Sequence, residues 1–138
     1  MKMFRKIFFY GVTAGILSAI ASVVYSRIHF FATYADFSRV LNNVTLVAIN
    51  LLACMLIAIS YWAMRKWLKR KAEAPFNFAL TILSFASIMI PITANLPLDI
   101  PFPELFPGLA VPMHFFPALA WYTLRPVFIK EGSSLKLT

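Results

Sequence analysis

Arg65-Lys66-Trp67-Leu68-Lys69-Arg70-Lys71 decides how this chain is laid out. Five cations in seven residues separate two apolar runs, 44–64 and 76–96, that contain no Asp, Glu, Lys or Arg. About 20 apolar residues suffice to cross a hydrocarbon core of about 30 Å. A segment this basic stays at the membrane surface, so the chain crosses, turns in residues 65–71 and crosses back.

Working outward, the same pattern recurs at both ends. Lys2, Arg5 and Lys6 precede an apolar run over 7–25, and Arg125, Lys130 and Lys136 lie in or after a run over 109–128. These three clusters hold eleven of the thirteen Lys and Arg residues, and only Arg27 and Arg39 fall elsewhere. The remaining connections carry Asp36, Asp99 and Glu104. Cytoplasmic loops are the ones enriched in Lys and Arg, so both termini and the 65–71 bend are expected in the cytoplasm. Backbone polar groups find no partners in lipid, so each span is expected to be α-helical. Trp62, Trp67, Trp121 and Tyr122 read as an inner aromatic belt.

Composition agrees. The chain has 138 residues, 61% hydrophobic and 13% charged, with a mean hydropathy of +0.78. Soluble domains average about 25% charged residues. The net charge of +8 is explained by membrane flanks, so a nucleic-acid partner is not expected. Cys54 is the one cysteine, which rules out an intramolecular disulfide and the paired spacing of a metal site. The expected fold is an all-α integral membrane four-helix bundle, N-in/C-in. It forms one membrane domain over residues 1–131 with a flexible tail over 132–138. The start also has features of a secretory signal, ending in Ala19-Ile20-Ala21. The apolar run continues past that point to Tyr25, so a retained first span is expected.

Two connections are unusual. In residues 26–43, Phe30, Phe31, Tyr34, Phe37 and Leu41 recur at helical spacing against His29, Thr33, Asp36 and Arg39. This predicts an outer amphipathic helix between the first two spans, with Asp36 and Arg39 paired across a turn. Residues 97–107 hold four prolines in eleven positions. Proline lacks an amide donor and fixes φ, so a stiff, extended, Pro-rich outer loop is expected there. Seven of the nine prolines lie between 91 and 117. Kinks are therefore expected at Pro91, Pro112 and Pro117.

Within the spans, Gly11, Gly15, Ser18 and Ser22 trace one stripe. Small residues let helix backbones approach closely in lipid. The stripe serves either packing inside the chain or a partner interface. Asn50 lies about 9 Å and His114 about 8 Å inside the outer ends of their spans, at a rise of about 1.5 Å per residue. With Thr93, Asn95, Asp99 and Glu104 they form a candidate outer polar layer, read either as interhelical hydrogen bonding or as a ligand pocket. His29 and His114 have no motif that fixes them as a metal or haem pair.

No cofactor is implied, and no Ser-His-Asp set, metal motif or glycine-rich phosphate loop appears, so no enzymatic activity is expected. The architecture resembles that of small four-span proteins of bacterial inner membranes, a likeness of topology that carries no activity with it. The function expected first is a non-catalytic accessory subunit. It would meet another membrane protein, or a second copy, through the Gly11–Gly15 face. The alternative is binding or transport of a small ligand, ion or proton in the outer polar layer.

Overall fold

The computed structural model describes residues 2–129, so Lys130, Lys136 and the tail over 132–138 lie outside the described residues. Most of those described are helical, with no strand among them. Helix α1 spans Lys2–Thr33, α2 Asn43–Leu68, α3 Glu73–Ser87, α4 Met89–Thr93 and α5 Phe106–Phe128. Helices α3 and α4 make one interrupted rod. Three helical rods, Lys2–Thr33, Asn43–Leu68 and Glu73–Thr93, are long and apolar enough to cross a membrane.

Local chemistry sets the boundaries. Asn42 caps α2 by accepting the Thr45 N–H at 2.8 Å. Helix α1 ends where Tyr34 turns left-handed at φ 56° and returns its N–H to Phe30 O at 2.7 Å. Pro91 has no N–H for Ser87 O, and the α3–α4 break falls at Ile88. The Ser84 and Ser87 hydroxyls also bond helix carbonyls here, at 2.9 and 2.7 Å.

Two apolar clusters mark opposite ends. At the basic end, Tyr10 of α1, Tyr61 of α2, Phe76 of α3 and Trp121 of α5 pack together. Tyr10 and Trp121 stack with centroids 3.8 Å apart, and the Tyr10 hydroxyl donates to Trp121 O. At the loop end, Ala35 and Phe37 from the α1–α2 connection and Ile100 from the α4–α5 connection pack on Leu46, Phe106 and Met113. Helix α5 touches α1, α2, α3 and α4.

Several expectations are corrected. No separate amphipathic helix lies between α1 and α2. Residues 26–33 continue α1 because neither Gly nor Pro interrupts them. The anticipated apolar face is split: Phe37 is buried, whereas Phe31 and Tyr34 are 72% and 80% exposed. Arg39 pairs with Asp99 at 2.7 Å rather than with Asp36. The Asp36 carboxylate instead accepts the Ser38 N–H at 2.8 Å, which holds its carboxyl below the usual carboxylate range.

Pro112 and Pro117 leave α5 uninterrupted. Pro112 denies Gly108 O its helical donor, and the Tyr25 hydroxyl supplies one at 2.8 Å. Helix α5 starts at Phe106, ahead of 109, because Pro107 fits a first turn. The irregular stretch of the Pro-rich loop is 94–102, followed by a 3-10 turn at Pro103–Leu105. Trp121 belongs to the core, not to a surface belt.

Candidate functional site

Helices α2 and α3 meet at the basic end through Tyr61, which packs edge-on to Phe76 and donates its hydroxyl to Glu73 Oε1 at 3.5 Å. Between α2 and the α3–α4 rod lies a groove of about 840 Å³, floored by α5. One stripe of α2 lines it, running through Leu46, Asn50, Ala53, Ile57, Ser60 and Met64. Eighteen residues separate Leu46 from Met64, a length of about 27 Å at 1.5 Å per residue. Leu83, Ser87 and Pro91 line the opposite wall, and Ala110, His114 and Pro117 the floor.

The surface is mostly hydrocarbon. Its small residues, Ala53, Ala79 and Ala110, explain the gap, since a methyl leaves unfilled the space that a Leu would occupy. They carry no sequence motif, so nothing in the chain flagged them in advance.

The polar groups in the groove are largely committed. Asn50 is buried. Its Oδ1 accepts the Ser18 hydroxyl, and its Nδ2 donates to Ser22 Oγ at 3.0 Å and Leu46 O at 2.8 Å. Both amide hydrogens are thus used, and the side chain locks α1 to α2. His114 Nδ1 lies 3.1 Å from Ser87 Oγ. The single Ser87 proton goes to Ser84 O, so His114 Nδ1–H is the donor. No buried side-chain nitrogen or oxygen among the described residues lacks a partner.

The candidate outer polar layer does not converge. Asn50 and His114 reach the groove, while Thr93, Asn95, Asp99 and Glu104 do not line it. The Thr93 hydroxyl bonds Met89 O of its own helix at 2.7 Å. Asn95 and Glu104 are exposed, and Asp99 holds Arg39 across the two loop-end connections. No three of His, Cys, Asp and Glu group together to hold a metal among the described residues.

The stripe Gly11, Gly15, Ser18 and Ser22 is buried within the chain. A Cβ on Gly11 would stand 2.6 Å from Ala58 Cβ, and one on Gly15 would stand 3.1 Å from Leu51 Cα. Helix α2 therefore occupies this face.

One residue escaped sequence reasoning. Glu73 accepts from Arg125 in an ion pair whose side chains are about three-quarters buried. Arg65 Nη1 donates to the Tyr61 hydroxyl at 3.2 Å, extending the network across α2, α3 and α5. The available signal was a lone acid beside a basic bend, opposite an Arg set inside an apolar run.

No family model, curated protein or solved structure matches the chain.

Proposed function

We propose that this chain is a four-span, N-in/C-in protein of a bacterial inner membrane. Its groove holds the apolar chain of a lipid-like amphiphile, and the protein performs no chemistry of its own. The single observation behind this reading is the groove's long apolar lining. It runs about 27 Å along α2, close to the hydrocarbon thickness of about 30 Å, and is mostly apolar, with Asn50 and His114 already hydrogen-bonded. A lining of this length and apolarity suits an apolar chain lying along the groove.

Two further points support the topology. Helix α5 has 23 residues, or about 34 Å, enough for a fourth span. It tolerates His114 and three internal prolines because neighbouring helices, rather than lipid, surround much of it. The cation asymmetry sets the direction.

An accessory subunit docking through Gly11 and Gly15 finds that face closed by α2. The docking reading therefore moves to the groove, with a neighbouring protein's helix as the occupant.

Native mass spectrometry of the protein released from mild detergent separates the two. The expected result is one bound amphiphile per chain, reduced at least tenfold by Ala53→Trp, which fills the groove. A stoichiometric protein partner in place of the amphiphile, or an amphiphile retained fully in Ala53→Trp, overturns the reading.

A further inference from the structure

A second concavity, of about 260 Å³, opens at the basic end between α1, the end of α2 and the end of α5. Three cations border it: Lys2 and Lys6 of α1 and Arg65 of α2. Ile7, Tyr10 and Phe128 form its apolar wall. It shares no lining residue with the groove, so a site here stands or falls independently of the amphiphile.

The arrangement differs from an ordinary solvated basic face in three respects. First, Lys2 and Lys6 are four residues apart on one helix, where like charges face and repel each other. Second, no acid lines the concavity among the described residues, and neither lysine forms an ion pair with one of them. The described acid at this end, Glu73, is engaged by Arg125 and Tyr61. Third, Arg65 is oriented before any ligand arrives. Its Nη1 bonds the Tyr61 hydroxyl at 3.2 Å and its guanidinium lies 5.9 Å from the Tyr61 ring centroid. That ring is held edge-on to Trp121 at 5.5 Å. Cations of one sign around a concavity with low-dielectric walls concentrate counter-ions there.

We propose that this concavity binds a phosphate group. A guanidinium fork matches two phosphate oxygens, and two ammonium groups add point charge. Three cations suit a phosphate dianion better than a monovalent ion. The group belongs either to a lipid headgroup at the membrane surface or to a soluble phosphate.

The test uses the full chain in uncharged detergent at constant ionic strength. Tm is followed against inorganic phosphate in one arm and against mixed micelles of phosphatidic acid in phosphatidylcholine in the other. A saturable rise in Tm is expected in at least one arm and not with matched chloride. Lys6→Gln and Arg65→Gln are expected to weaken the apparent Kd about tenfold each. Lys66→Gln, a cation of the same end outside the lining, should change it by less than about twofold. Lipid acting alone identifies a headgroup, and inorganic phosphate acting alone identifies a soluble ligand. If Arg65→Gln fails to fold, the exposed pair Lys2→Gln/Lys6→Gln carries the same test. No saturable rise in either arm overturns the proposal, as does an equal loss in Lys66→Gln.

Discussion

Replacing Gly11 with alanine tests the contact that fixes α1 on α2 and thereby holds Asn50 in place. The added Cβ would stand 2.6 Å from Ala58 Cβ and 3.3 Å from Cys54 O. Carbon atoms rest at about 3.5–4.0 Å, so α1 must retreat by about 1 Å. Ala58 Cβ is bonded to the α2 backbone and has no rotamer by which to yield. Overpacking of this kind costs about 1–3 kcal/mol. Exchanging Gly for Ala inside a helix returns up to about 1 kcal/mol. The net expectation is a loss of about 1 kcal/mol.

Ala58→Gly removes the obstacle and costs about 1 kcal/mol in helix propensity. Independent losses would sum to about 2 kcal/mol. The double variant should instead lie near wild type, because the methyl has only moved from α2 to α1. The coupling would then be about 2 kcal/mol. Reversible unfolding in mixed detergent–SDS micelles, followed by tryptophan fluorescence, measures all four proteins. Additivity within about 0.5 kcal/mol would refute the argument. So would a Gly11→Ala variant that changes the oligomeric state at unchanged stability, since the stripe would then lie between chains.

Two more outcomes rest on single contacts. Tyr25→Phe should cost about 1 kcal/mol through loss of the bond to Gly108 O, and clearly less in a Pro112→Ala background, where residue 112 regains an N–H for that carbonyl; equal costs in both backgrounds would rule out the compensation. Asp36 has its carboxyl held below the ordinary value by the Ser38 N–H, so its contribution is complete above about pH 4 and fades as pH falls through the lower folded value. Asp36→Ala should therefore lower Tm slightly at neutral pH, with the gap closing in acid, and a gap that persists in acid in a Tm–pH series would discard this account.

Much of the helical layout was legible from short windows of sequence. The apolar runs, the basic bend and the break near Pro91 each depend on residues within a few positions of one another. The reading erred where a local preference met a distant competitor. Asp36 lies three residues from Arg39, yet Arg39 takes Asp99, sixty residues away, because the two loop-end connections fold over one another. Trp121 read as a surface anchor, but stacking on Tyr10 draws it inside. Among the candidate site residues, depth in the span was readable and azimuth was not. Asn50 and His114 were placed at similar depths, but which face each helix turns toward its neighbours decides what they touch.

By itself, the order of residues determined that the chain is helical and apolar enough for a membrane, and roughly where its apolar helical runs lie. Those properties are sums over neighbouring side chains and backbone donors. Only the tertiary structure decided that Ser18, Ser22 and Asn50 bond one another, that α2 covers the glycine stripe, and that a groove remains beside α5. Each of these depends on how far apart two rods stand and how each is rotated. A single ångström or a few tens of degrees there separates a filled interface from an open groove.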